Sequence, residues 1–149
     1  MRAVLQRVSR AAVAVDNVPI AGIGEGLLAL VAVSREDTEE DLSWMAKKIV
    51  ELRVFEDLQG KMNLNLKEVG GQLLLVSQFT LYGDCRKGRR PSYSEAAAPQ
   101  EAAQMFEEFV RIARQWVPDA QTGRFQAMME VSLTNSGPVT LILDSRKPI

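Results

Sequence analysis

A chain of 149 residues, 46% of them hydrophobic and 25% charged, can bury a substantial core and has the size of a single domain over residues 1–149. It has no histidine and one cysteine, which excludes Ser-His-Asp and Cys-His catalysis, histidine-based zinc sites and thiolate clusters. A formal net charge of −1 argues against a general polyanion binder and leaves room for a local basic patch. No metal or cofactor is expected.

The N-terminal third reads as strands. "RAVLQRV" and "AAVAVDNVPIAGIG" are apolar stretches with a hairpin signal at Asp16-Asn17, and "GLLALVAV" has the near-continuous apolar run of a buried strand. From Thr38 the period changes to that of a helix. Leu42, Met45, Ala46 and Ile49, followed by Leu52 or Arg53, recur at helical spacing, and Thr38 with Asp41 has the pattern of a capping box. Strand-like segments follow in "RVFED", "KMNLNL" and "GQLLLVSQF", punctuated by Gln59-Gly60 and Gly70-Gly71. Pro99 suits the first turn of a second helix whose apolar face is Met105, Phe106, Phe109, Val110, Ala113 and Trp116. "RFQAMMEVSLTNSGPVTLILDS" reads as two strands around "NSGP". The fold class is therefore α/β of the α+β type, a mixed sheet or barrel-like core covered by two α-helices. No run approaches the roughly 20 apolar residues of a membrane span, and "MRAVLQRVSR" lacks the apolar region of a signal peptide. The expectation is a cytoplasmic protein without a membrane partner.

Three features carry candidate chemistry. Ser77, Gln78, Phe79 and Thr80 stand at the end of a buried strand, where hydroxyl and amide groups can bind a polar substrate; on this segment alone, an ordinary strand edge with its Phe in the core is the better explanation. "CRKGRRPSY" places Arg86, Lys87, Arg89 and Arg90 in a loop flanked by Tyr82 and Tyr93. Such a run is either a solvated loop or a set of phosphate contacts with aromatic rings for stacking. Gly137-Pro138, between Asn135 and Thr140, is the third, and by itself it reads as a tight turn. Cys85 beside Arg86 and Lys87 fits an incidental loop cysteine better than an activated thiol. "GIGEG" lacks the strand-to-helix context of a nucleotide fingerprint and reads as a turn.

"SQFTL" at 77–81, "NSGPVT" at 135–140 and the "MRAVLQRV" start together resemble the D-aminoacyl-tRNA deacylase family, in an order and spacing that runs through the whole chain. The resemblance implies a deacylase-like fold and a homodimer whose active site lies at the subunit interface. In it Gly137-Pro138 has a cis peptide and enters the partner's site, where its backbone excludes L-aminoacyl groups. The resemblance further implies that Ser77, Gln78, Phe79 and Thr80 line the aminoacyl pocket, that Arg7 holds the Gly-Pro loop, and that Phe125 and Met129 border the terminal adenosine. The implied partner is the aminoacylated end of tRNA, and the implied reaction is ester hydrolysis releasing a D-amino acid, with glycyl-tRNA as a further substrate. A non-catalytic RNA-binding module that uses the same basic loop and aromatics is the alternative. If the four cations meet phosphates, binding of tRNA weakens with salt. Replacing two of them, Arg89→Ala with Arg90→Ala, then flattens the log–log slope by roughly 0.7–0.9 for each phosphate that is no longer neutralised. A slope unchanged in the double variant would make the loop a solvated one.

Overall fold

The computed structural model describes residues 1–146 and contains eight strands and two α-helices among them. Strand β1 (Arg2–Val15) turns at Asp16-Asn17, both with positive φ, into β2 (Val18–Ile23), and β3 (Gly26–Ala32) follows. Helix α1 (Glu39–Glu51) precedes a small hairpin of β4 (Phe55–Glu56) and β5 (Met62–Leu64). Strand β6 (Gln72–Ser77) leads through a 3₁₀ turn at Phe79–Tyr82 and a long loop to α2 (Pro99–Ala113). The two-residue β7 (Gln121–Thr122) and the sixteen-residue β8 (Met129–Asp144) complete the order.

The main sheet is mixed and barrel-like. β1 lies at its centre: β8 runs antiparallel along one edge, while β3 and β2 share the other, β3 beside residues 2–8 and β2 beside residues 11–15. β6 lies parallel to β3, and β7 parallel to β6. A parallel neighbour requires a long crossover, and α1 supplies it. The side-chain Oε1 of Gln121 accepts the Gly22 N–H at 2.8 Å, drawing β2 over towards β7.

Alternation along the inner strands sorts two apolar clusters. Leu27, Ala29 and Val31 of β3, with Leu73 and Leu75 of β6, face the helices; Leu28, Leu74 and Val76 face the other side. α1 contributes Leu42, Met45, Ala46 and Ile49, and α2 contributes Phe106, Phe109 and Val110, to the helix-side core. The expected helix starts are seen: the Asp41 carboxylate accepts the Thr38 N–H at 2.9 Å, and Pro99 opens α2.

Two sequence expectations are corrected in β8 and β1. "NSGP" does not separate two strands. It sits inside β8 as a bulge in which the four residues 136–139 lie opposite the single residue Arg7 of β1. A compensating extra residue of β1 lies between Val8 and Arg10. Odd-numbered Ala3 and Leu5 point to the helix side, whereas odd-numbered Ala11 and Val13 point to the other, so the irregularity reverses which face each strand buries. The second correction is that the Gly137–Pro138 bond is trans, since no peptide bond among the described residues is cis. The surplus residues of the bulge and a φ of 101° at Gly137 redirect the chain there with the peptide in its ordinary isomer.

Arg7 fixes the bulge. Only 7% exposed, it donates from Nη1 to Val54 O at 2.6 Å and from Nε to Ser136 O at 3.0 Å, with Glu56 at 4.0 Å. Asn135 Nδ2 donates to Arg7 O at 2.9 Å and Val139 O at 3.1 Å. A Cβ on Gly137 would overlap the guanidinium. Arg7→Ala removes the donors of two carbonyls and is expected to lower unfolding free energy by about 3 kcal/mol. Gly137→Ala is expected to cost about 1–3 kcal/mol through its positive φ. Urea unfolding measures both, and losses below about 0.5 kcal/mol would mean that the bulge is not held by these contacts.

Candidate active site

The parallel pairing of β6 with β3 places Ser77 opposite Val31, and the Gln78 N–H continues the ladder to Val31 O at 2.7 Å. The strand then stops. Leu81 N–H donates to Gln78 O at 3.2 Å and Gly83 N–H to Thr80 O at 2.9 Å, which winds Phe79–Tyr82 into the 3₁₀ turn. Phe79 leaves the core and is 54% exposed, so the reading in which its ring is a core residue does not describe it. The Phe79 and Thr80 N–H groups open the turn, where intrahelical acceptors are lacking.

Ser77, Gln78 and Phe79 line a cavity of about 460 Å³ together with Phe125 and Met129, so five of the residues singled out in the sequence converge there. Thr80 is the next residue on the turn and is exposed. Phe125 stacks on Phe106 of α2 at 6.5 Å, which anchors that wall to the helix-side core. Sequence reasoning did not anticipate Ala96, Ala97 and Gln126 as lining residues. Gln126 takes a left-handed backbone, φ 62°, a conformation that costs a non-glycine residue about 1–3 kcal/mol and concentrates at functional sites. Nothing in the sequence around Gln126 signals it. Among the described residues no carboxylate, amine or guanidinium lines the cavity, whose polar groups are hydroxyls, amides and backbone.

Charged groups hold the cavity wall from behind. Ala97 N–H donates to Val33 O at 3.0 Å, Arg35 N–H to Glu95 O at 3.1 Å, and Ser34 bridges Ala96. Ser34 N–H is in turn accepted by the buried Asp37 carboxylate at 2.8 Å, which also pairs with the Met1 ammonium at 2.7 Å and Arg146 at 3.4 Å. Tyr82 is buried beneath the Arg2 guanidinium, 4.7 Å from its ring. Burial, with the nearby Asp37 and Asp144 carboxylates, pushes its phenol well above the ordinary range.

The other predicted groups lie elsewhere on the chain. Arg7 and Gly137 line a separate cavity of about 370 Å³ with Phe55 and Glu56, and Gly137 and Pro138 are exposed. Arg7 is level with Leu73 across the sheet and Ser77 is four positions further along β6, so the bulge and the Ser77 end are about 13 Å apart along the strands. Within one chain the two motifs do not meet. In the basic loop, Arg86 is bound to Asp84 through Nε at 2.9 Å and Nη2 at 2.7 Å, and these bonds hold the Asp84 carboxyl at about 2. Lys87, Arg89 and Arg90 are exposed and enter no ion pair among the described residues. Cys85 is exposed, outside the cavity that contains Ser77. No helix among the described residues is long and apolar enough to cross a membrane.

Comparison with known proteins places this geometry in a family. Residues 4–144 match the family model described as D-Tyr-tRNA(Tyr) deacylase. A protein of Kosmotoga olearia named D-aminoacyl-tRNA deacylase is 60% identical over 147 residues, covering 99% of both chains. Another of that name from Desulforudis audaxviator is 57% identical over 148 residues, again covering 99% of both. Among solved structures, one named "c-Myc DNA Unwinding Element Binding Protein" superposes with a TM-score of 0.93 at 38% identity, covering 100% of both chains. A probable eukaryotic D-amino acid tRNA deacylase shares the fold with a TM-score of 0.81 at 20% identity, over 95% of this chain and 97% of that one. On the family model and on relatives this similar along their whole length, the chain belongs to the D-Tyr-tRNA(Tyr) deacylase family.

Proposed function

We propose that the protein, acting as one domain over residues 1–149 in the cytoplasm, hydrolyses the ester of D-aminoacyl-tRNA to release a D-amino acid and tRNA. The observation that carries the reading is a cavity lined, among the described residues, by hydroxyls, amides and apolar walls and by no carboxylate, amine or imidazole, in a chain whose relatives are named for this reaction. Such a cavity suits a substrate that brings its own catalytic group. The 2′-hydroxyl beside the ester is held next to the reacting carbonyl, and fixing the two together gives the advantage of an intramolecular reaction. Ser77 and Gln78 orient the aminoacyl group, and the N–H groups of Phe79 and Thr80 stabilise the developing oxyanion, a role that needs no titrating side chain. Phe125 and Met129 border the terminal nucleoside. Thr80 as a nucleophile is the second mechanism, disfavoured because no side chain lining the cavity is a base that would activate it.

Lys87, Arg89 and Arg90 contact tRNA phosphates, with Arg86 already shared with Asp84. The protein works as a homodimer in which the exposed Gly137-Pro138 bulge of one protomer, kept rigid by Arg7 and Asn135, borders the Ser77–Thr80 end of the other. The separation of the two motifs within one chain supports a second copy as the element that unites them. A backbone wall there rejects L-aminoacyl groups by their side chains and admits glycine, which has none, so glycyl-tRNA is cleaved as well.

Hydrolysis at catalytic protein concentration tests the reading: D-aminoacyl-tRNA is expected to release free amino acid over many turnovers while its L-counterpart stays intact. A non-catalytic nucleic-acid binder, a role suggested by the name of the solved relative at 38% identity, would protect the ester instead. A D-aminoacyl ester on a tRNA ending in 2′-deoxyadenosine is expected to bind and to hydrolyse very slowly. Thr80→Ala is expected to keep measurable activity, whereas loss of a true nucleophile would cost on the order of 10⁶ in kcat. Normal cleavage of the deoxy substrate would overturn the RNA-assisted mechanism.

A further inference from the structure

The 3₁₀ turn that carries the Phe79 and Thr80 N–H groups is only four residues long, so what fixes its far end also fixes those donors. That end is held by Arg2. As the first residue of β1, Arg2 is paired with Ala32 of β3 on one side and Asp144 of β8 on the other. Its Nη1 donates to Leu81 O at 3.3 Å, and its guanidinium lies 4.7 Å from the centre of the Tyr82 ring. Leu81 O belongs to the C-terminal end of the turn, where carbonyls lack donors within the helix, and a cation supplies a charge-assisted bond there.

The guanidinium is itself anchored. Nε donates to Asp144 Oδ2 at 2.9 Å, while Asp144 Oδ1 accepts the Arg146 N–H at 2.9 Å, so both carboxylate oxygens are held. The Asp144 side chain is 4% exposed and that of Arg2 28%, which limits screening of the pair by solvent and salt. Contacts to a carboxylate, a carbonyl and a ring at once need the fork and flat face of arginine; a lysine ammonium is a single point. The loop after the turn adds a second constraint. Asp84 and Ser92 exchange backbone bonds of 2.8 and 2.9 Å, and the Tyr93 ring that follows meets Phe79 edge to face with centroids 5.1 Å apart. A Cβ on Gly83 would stand 3.0 Å from Thr80 O and 3.1 Å from Tyr93 Cε1, so the turn has little slack on the loop side. Arg2 itself does not line the cavity and reaches the donors only through Leu81 and Tyr82.

We propose that Arg2 is a positioning residue for the reaction: anchored by Asp144, it fixes the 3₁₀ turn and through it the direction of the Phe79 and Thr80 N–H groups. The proposal rests on the deacylase reading, which gives those groups their role at the oxyanion. Such donors act on charge that develops in the transition state, so a small rotation of the turn lowers kcat and leaves ground-state binding nearly unchanged.

The test compares Arg2→Lys, which keeps the charge, with Asp144→Asn, the double variant and a control, Ser145→Ala. Ser145 Oγ donates to Asp41 at 2.7 Å, so it ties the same end of β8 to α1 rather than to the turn. On a D-aminoacylated acceptor-stem RNA minihelix, Arg2→Lys is expected to lower kcat roughly 10- to 100-fold. KM, and the Kd of the uncharged minihelix, stay within about twofold of the parent. Asp144→Asn, which weakens the anchor without removing it, is expected to show the same split with a loss of about threefold, and it carries the test if Arg2→Lys does not fold. The double variant is expected to fall within about twofold of Arg2→Lys, because the two residues act as a unit. Ser145→Ala is expected to lower Tm and keep kcat within about twofold of the parent. Amide hydrogen exchange in Arg2→Lys is expected to quicken about tenfold at Leu81 and Gly83 and to stay unchanged at Gln78, whose N–H is bonded to Val31. Circular dichroism of each variant establishes that it is folded. Equal losses of kcat in Arg2→Lys and Ser145→Ala, a change in KM alone, or unaltered exchange at Leu81 and Gly83 overturns the proposal. If the exchange pattern appears but the parent releases no D-amino acid, the deacylase reading fails and the clamp on the turn stands.

Discussion

β1 is paired along both edges for nearly its whole length, and the sheet depends on how it meets that demand. A strand so enclosed cannot shed strain at a free edge. It must serve β3 with one half and β2 with the other while β8 follows it throughout. The irregularity at Arg7–Arg10 resolves this by exchanging the faces of the strand midway, so that its first half buries Ala3 and Leu5 under the helices and its second half buries Ala11 and Val13 on the opposite side. Curvature, two cores and the outward projection of Gly137-Pro138 are consequences of that one exchange. Arg7 explains why the surplus backbone does not simply fray: a buried guanidinium with two carbonyl acceptors leaves those carbonyls unsatisfied if it moves away.

Among the described residues, charged groups are kept out of the cavity and used around it. Carboxylates, the Met1 ammonium and Arg146 form a network behind the wall at Ser34 and Ala96, and exposed cations are gathered on the loop after Asp84. This division suits a polyanionic substrate whose scissile ester is uncharged: long-range attraction acts on the phosphates while the ester sits among uncharged groups. It also accounts for a chain without histidine in a family of hydrolases.

Local chemistry made much of this legible in the sequence. Thr38 with Asp41 and the apolar period after it gave α1, Pro99 and Phe106–Phe109 gave α2, and the run before Ser77 gave the buried strand that ends at the cavity. Phe125 and Met129 came from the family resemblance and line that cavity. What was illegible depends on distant partners. "NSGP" has the composition of a turn between strands, and only pairing with β1 makes it a bulge within a single strand. Phe79 follows an apolar run that points its ring into the core by alternation, yet the 3₁₀ turn rotates it outward. The cis peptide was carried over from the family, and this chain has a trans bond there. Tyr93 stood out as an aromatic beside cations, but its contact with Phe79 bridges a loop whose closure by Asp84 and Ser92 has no sequence signature.

The pairing of β1 with β8 also shapes how the molecule is made. Translation delivers the first strand early and its longest partner last, so one edge of β1 stays unsatisfied while α1, β6 and α2 emerge. Contacts between segments so remote in sequence form slowly because loop closure must precede them. During that interval the apolar residues of β1 and the open strand edge are a template for wrong pairing with another nascent chain. The alternation of β8, with Glu130, Ser132 and Thr134 exposed beside Val131, keeps the late-arriving strand from being apolar on both faces. The economy of one central strand thus carries a kinetic burden, borne at the ribosome rather than in the finished fold.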